Sequence, residues 1–183
     1  MYKRQGALLL DRTRVAAGSA VQTFYEAEAA QRAGTAVVTA FPLAGGGQAV
    51  TGVGGAPGNA NTVTFSVVAA ATGTYAMTIR YSDPEQSPAT HYNPDPVARH
   101  ADISVNGGAA DRVLFPMSFH ADNFWDRTVL VQLQQGSNTI RFSSSETPDF
   151  NGTTYISDRY PTDLLRSKWA PIIDRIGIAP FVS

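Results

Sequence analysis

Apolar and polar residues alternate with a period of two along most of this chain, and no stretch of ten or more residues carries a convincing helical period. Val63, Phe65 and Val67 alternate with Thr62, Thr64 and Ser66, while Tyr75, Met77 and Ile79 alternate with Thr74, Ala76, Thr78 and Arg80. Successive side chains of a strand point to opposite faces, so each run predicts a strand buried on one face only. Ile103 with Val105, Val129 with Val131 and Leu133, and Ile140 with Phe142 continue the pattern. Short strands separated by turn signals predict an all-β chain folded as a sandwich.

The connections are of two kinds. Asn106-Gly107-Gly108 and Gln135-Gly136-Ser137-Asn138 are tight, because Gly and Asn supply the positive φ that short reversals need. Residues 82 to 99, 116 to 126 and 144 to 170 are long. If successive strands run in opposite directions, the tight turns fall at one end of the sandwich and the three long connections at the other. Those connections hold His91, Tyr92, Asn93 and Arg99, then Phe119, His120, Asn123 and Trp125, then Phe150, Tyr155, Arg159, Tyr160 and Trp169. Long connections without regular structure are uncommon and usually functional.

A second pattern is split between the two ends. In Tyr25-Glu26-Ala27-Glu28, strand parity puts Glu26 and Glu28 on one face with Phe24; in Ile172-Ile173-Asp174-Arg175-Ile176-Gly177-Ile178 it puts Asp174 with Ile172, Ile176 and Ile178. Three carboxylates then stand where apolar residues are expected. An unpaired buried carboxylate costs several kcal/mol, so these acids should be protonated, paired with cations such as Arg175, or bound to a metal. If the terminal strands are neighbours, a hard cation with oxygen ligands, calcium above all, answers the problem.

Composition narrows the function classes. The 183 residues suit one domain plus tails, and 43% hydrophobic against 16% charged residues marks a globular chain. A formal net charge of -1 with scattered basic residues gives no case for a nucleic-acid partner, and no apolar run approaches the roughly 20 residues of a membrane helix. The absence of cysteine removes disulfides and thiol chemistry. Met1-Tyr2-Lys3-Arg4-Gln5 looks like the translated end of a transposon-type sequencing adapter. On that reading residues 1–23 are a non-native start plus a linker or the end of a preceding domain, and residues 24–183 form the module; the alternative is an ordinary start and a short disordered N-terminus.

The motifs in order carry a resemblance. Tyr25-Glu26-Ala27-Glu28, Gly46-Gly47-Gln48-Ala49-Val50, Gly73-Thr74-Tyr75, Arg80-Tyr81, Val105-Asn106-Gly107-Gly108, Leu133 with Gly136 and Asn138-Thr139-Ile140, and Trp169-Ala170-Pro171-Ile172-Ile173-Asp174 follow one another as in carbohydrate-binding modules of family 35 and the related family 6. The chain resembles that family over about residues 24 to 180. The resemblance implies a jelly-roll β-sandwich of the galactose-binding-domain-like type, a non-catalytic role, and secretion as part of a larger bacterial polysaccharide-degrading enzyme with its catalytic domain upstream. It implies a structural calcium (Ca2+) at Glu26, Glu28, Asp174 and the backbone oxygen of Gln48. It also implies a poly- or oligosaccharide held among the loops, with Tyr81, Arg99, Trp125 and Trp169 as counterparts of the family's sugar-contacting residues. His91, Tyr92, Asn93 and Asn123 join them by loop position, and a monomer is expected.

Other chemistries are weaker. The spacing of the three His residues matches no zinc motif. The acids Glu146, Asp149, Asp158 and Asp163 have no fixed separation of the kind a glycosidase pair needs. Gly45-Gly46-Gly47 and Gly52-Val53-Gly54-Gly55 lack the Lys-Ser/Thr of a phosphate loop. The competing reading is a calcium-stabilised structural or protein-interaction sandwich without a sugar site.

Overall fold

A computed structural model describes residues 21–55, 58–84, 86–90, 94–96, 98–144 and 169–181. Its strands are β1 (Thr23–Glu26), β2 (Gln31–Ala33), β3 (Val37–Ala40), β4 (Gln48–Thr51), β5 (Thr62–Ala69), β6 (Gly73–Ser82), β7 (Gln86–Thr90), β8 (Pro94–Pro96), β9 (Arg99–Val105), β10 (Ala110–Phe115), β11 (Trp125–Leu133), β12 (Gly136–Ser143) and β13 (Ile172–Pro180). The described residues contain no helix beyond two single 3-10 turns, Ala27–Ala29 and Gly45–Gly47.

The chain is all-β, as its alternation predicts. One sheet runs β11-β6-β13-β4-β3 with β1 also on β13, and the other runs β10-β9-β12-β5-β2. Every pairing is antiparallel. The inward residues of the two sheets meet in one core: Val63, Phe65 and Val67 of β5 and Ile140 and Phe142 of β12 face Met77, Ile79 and Tyr81 of β6 and Ile173, Ile176 and Ile178 of β13. Phe65 packs edge-on to Phe142 at 5.6 Å, and Tyr81 edge-on to Phe115 at 4.8 Å.

The two kinds of connection separate as expected. The β9–β10 reversal uses Asn106 and Gly107 at φ 51° and 72°, a conformation in which glycine carries no side-chain penalty. At the opposite end the long connections are tied together. Ser118 N–H donates to Asp83 O at 2.7 Å, Arg99 N–H to Asp83 Oδ2 at 3.1 Å, and the Arg99 guanidinium to Ala170 O at 3.3 Å. The first connection differs from its sequence reading in containing the β7–β8 ribbon.

The parity argument for the carboxylates needs correction in two places. The strand ends at Glu26, and Glu28 sits in the 3-10 turn that follows. In β13 the register jumps, with Ile173 opposite Tyr81 but Arg175 opposite Arg80, so Asp174 is the extra residue of a β-bulge. Parity reverses there, which puts Ile173, Ile176 and Ile178 in the main core and Ile172 in a satellite cluster with Ala44, Ala49 and Phe124. Asp174 therefore does not share the core face of Ile176 and Ile178. Glu26 does share the face of Phe24, but that face points outward, since Phe24 is 51% exposed.

Candidate functional site

The bulge creates a gap with carboxylates around it. One side of β13 is paired along its whole length with β6, whereas its other side is shared: β4 reaches it only at Ile173, and β1 takes over from Glu26 opposite Arg175. Asp174 lies between the two partners. The Ala27–Ala29 turn brings Glu28 back over the gap from one side, and the Gly45–Gly47 turn closes it from the other.

The Gly45 N–H donates to Asp174 Oδ2 at 3.0 Å, and Arg80 Nε forms an ion pair with the same oxygen at 2.9 Å with its N–H off line. Arg175 lies 3.7 Å from Glu26 Oε1, with its guanidinium 4.7 Å from the centre of the Phe24 ring. After these contacts, Glu26 Oε2, Glu28 Oε2 and Asp174 Oδ1 remain buried atoms without a hydrogen-bond partner. Orphaned polar atoms are uncommon in folded proteins, and three carboxylate oxygens in one seam ask for a cation.

The glycines explain the close approach. A Cβ on Gly45 would stand 3.3 Å from Glu26 Oε2, 3.4 Å from Asp174 Oδ1 and 2.9 Å from an Arg175 nitrogen. A Cβ on Gly46, whose φ is +70°, would stand 2.8 Å from Glu28 Oε1. Burial raises the pKa of Asp174, offset in part by the Gly45 N–H and the Arg175 and Arg80 charges. Burial likewise raises Glu26, against the pull of Arg175. Both shifts say that the charged forms lack counter-charge. Among the described residues, no three acidic, His or Cys side chains stand as a ready-made metal-ligand group. The fit to a hard cation therefore rests on donor chemistry, orphaned oxygens and the glycine cradle.

The loop end is chemically different. A cleft of about 300 Å³ opens between Thr51, Gly52, Arg99, Trp169, Ala170 and Ile172. Trp169 is held there by a β-bridge to Gly54 and by its ring lying on Gly55, where a Cβ would come within 2.5 Å of the indole. Arg99 forms one wall. It is braced by its ion pair to the fully buried Asp83 at 3.3 Å. Trp125 is 38% exposed at the start of edge strand β11, with Phe119 beside it, the ring centres 6.1 Å apart.

No family model matches the sequence, and no curated protein does. Among solved structures, a family 35 carbohydrate-binding module from Clostridium thermocellum superposes with a TM-score of 0.67 at 30% identity, over 86% of this chain and 98% of that module. The chain belongs to carbohydrate-binding module family 35. By that membership it is a binding module and not a catalyst. The family 35 module also shares its fold with a crystal structure of an exo-β-1,3-galactanase from Phanerochaete chrysosporium with galactose, at TM-score 0.64 and 24% identity, matching 87% of this chain but 29% of that enzyme. A β-(1,4)-mannanase from Podospora anserina that carries a family 35 module matches at TM-score 0.59 and 22% identity, over 88% of this chain and 28% of the enzyme.

The module distributes the sequence-selected residues unevenly. Glu26, Glu28 and Asp174 come together with Gly45 at the seam, and Gln48 opens β4 just after that glycine turn. Arg99 and Trp169 share the cleft. Trp125 does not line that cleft: it stands on edge strand β11, with β6 between it and Ile172 of β13. Tyr81 is corrected to a core residue, 2% exposed, its hydroxyl donating to Pro116 O at 3.1 Å. The Asn123 side-chain amide donates to Ser118 O at 2.6 Å, so that group shapes the loop. His91, Tyr92, Asn93 and residues 145–168 lie outside the described residues. Of the described histidines, His100 is buried with Nε2 3.1 Å from Ser144 Oγ, while His120 is exposed, so they form no shared metal site. Arg175 pairs with Glu26, as the sequence allowed, whereas Arg80 was missed as the partner of Asp174 although its position beside the Arg80-Tyr81 motif was readable.

Proposed function

We propose that this module binds a poly- or oligosaccharide at its loop end and holds an attached, secreted polysaccharide-degrading enzyme near that glycan, with a calcium ion at the carboxylate seam stabilising the fold. The observation that carries the reading is the Trp169–Arg99 cleft, an indole and a guanidinium at the convergence of the long connections. An indole offers an apolar face to the C–H face of a pyranose, while polar groups on the walls pair with hydroxyls. The module performs no chemistry. It raises the effective concentration of a linked enzyme at the polymer. The enzymes among its structural neighbours, in which it corresponds to less than a third of the chain, support that arrangement.

Glu26, Glu28 and Asp174 would hold the calcium through carboxylate oxygen, with backbone oxygen at Gln48 completing an all-oxygen set. The ion would supply positive charge to oxygens that Arg80 and Arg175 leave unmatched. A glycan array with plant, microbial and host glycans, run on wild type and Trp169→Ala with calcium present, tests the sugar reading. Binding by wild type that weakens about tenfold in the variant is expected. No binding across the array would leave the structural or protein-interaction reading instead.

A further inference from the structure

We propose that Arg175 is a standing counter-charge at the carboxylate seam, one that helps hold the module folded without calcium and lowers the seam's affinity for the ion; this rests on the calcium reading of the seam. Arg80 and Arg175 are Cα partners across β6 and β13, and like charges directly opposite each other destabilise a sheet. The acids beside them make the pair tolerable, but the two guanidiniums are held differently. Arg80 is braced on two sides, with Nε 2.9 Å from Asp174 Oδ2 and its guanidinium 5.6 Å from the centre of the Phe124 ring, in the satellite cluster. Arg175 is held more loosely. Its Nη1 stands 3.7 Å from Glu26 Oε1, beyond hydrogen-bond reach, and its guanidinium rests on the outward-facing Phe24 ring, 4.7 Å from the centre.

The Arg175 guanidinium also reaches into the glycine cradle. The point beside Gly45 that lies 3.3 Å from Glu26 Oε2 and 3.4 Å from Asp174 Oδ1 lies 2.9 Å from Arg175 Nη1, and neither oxygen has a hydrogen-bond partner. One guanidinium nitrogen therefore shares the cradle with oxygens that would hold the ion, without bonding to them. With Glu26, Glu28 and Asp174 ionised, the two guanidiniums leave the seam one negative charge in excess, and a divalent ion would turn that into one positive charge in excess. Drawing Arg175 away returns the total to zero. Arg175 can yield because its long side chain is 31% exposed, whereas Arg80 is tied to the fully buried Asp174 carboxylate. Calcium must then enter against a like charge, which weakens its binding, and without calcium the same charge offsets part of the repulsion among the three acids. Such a module stays folded when calcium is scarce and takes the ion only where it is plentiful.

Titration calorimetry with calcium chloride, together with melting curves in chelator and in saturating calcium, tests this on the whole chain. Arg175→Gln, which removes the charge and keeps most of the length, is expected to bind calcium about tenfold tighter than wild type. In chelator it should melt about 2–4 °C lower, and in saturating calcium that difference should close. Arg175→Lys, which keeps the charge, should bind calcium nearly as weakly as wild type. Calcium affinity in Arg175→Gln equal to or weaker than in wild type overturns the counter-charge but leaves the calcium seam standing. Tightening of the same size in Arg175→Lys also overturns it, because the charge would then not be the cause. No calcium binding by wild type overturns both.

Discussion

Removing calcium should lower the melting temperature of this module by a calculable amount. At the seam, three carboxylate oxygens are buried without partners, on Glu26, Glu28 and Asp174. Each unsatisfied buried group costs about 1–3 kcal/mol, with Glu26 at the low end because its side chain is 34% exposed. A cation that binds only the folded chain stabilises it by about 2.7 kcal/mol when free at 100 times its dissociation constant, which is within what those oxygens could return. For a chain of this length, 1 kcal/mol moves the melting temperature by about 2–4 °C, so the shift between chelator and calcium should be about 5–11 °C. Scanning calorimetry across a calcium titration measures it, and the shift should grow with the logarithm of free calcium. Asp174→Asn, which keeps the shape and removes the charge, should abolish most of the response. Equal melting temperatures in saturating chelator and saturating calcium would refute the reasoning, because orphaned oxygens then could not be waiting for a cation.

Three further outcomes follow from other residues. In chelator, the raised pKa values of Asp174 and Glu26 stabilise the fold below the ordinary carboxylate range near about 4 and are lost as pH rises through the raised values, so wild type relative to Asp174→Asn should melt lower as pH climbs toward neutral. Calcium should reverse that slope, since it needs both groups ionised; the same slope in both buffers would count against the site. Tyr81→Phe removes the hydrogen bond to Pro116 O and should cost about 1 kcal/mol, seen as a small drop in melting temperature with sugar affinity unchanged. Gly55→Ala forces a Cβ toward the Trp169 indole from φ +106°, which should cost at least about 1–2 kcal/mol and shift Trp emission; an unaltered spectrum would mean the ring does not rest there.

The sheet interior was legible because alternation is a local property. Val63, Phe65 and Val67 need no knowledge of their partners to be assigned inward, and the same parity puts Tyr81 with Tyr75, Met77 and Ile79, against the sugar contact that the resemblance implied for it. The clustering of the long connections was legible too, since antiparallel order alone sends them to one end. The Asp174 bulge was not. It arises because β1 and β4 divide one side of β13, a fact of pairing between segments more than a hundred residues apart. The acids that meet at the seam were chosen through a parity that the bulge breaks, so their meeting there follows from the bulge and not from that parity. Phe119 was unreadable for a different reason. Ser118-Phe119-His120 contains neither Gly nor Asn to announce a left-handed residue, and the conformation is imposed by Asp83, Ser82 and Asn123.

Stability and recognition meet on one short stretch of β13 and the residues before it. Trp169 and Ala170 line the cleft, and Ala170 takes the Arg99 guanidinium on its carbonyl. Ile172, two residues on, lines the same cleft and also belongs to the satellite cluster with Ala44. Ala44 precedes Gly45, whose N–H holds Asp174. The path from indole to carboxylate seam is therefore covalent along residues 169–174 and packed through Ile172 and Ala44. A cation that fixes Asp174 fixes the root of the strand from which the cleft is built. A calcium at the seam would on the proposed reading act beyond bulk stability, because a cleft whose wall is already ordered would spend less conformational entropy when a sugar enters.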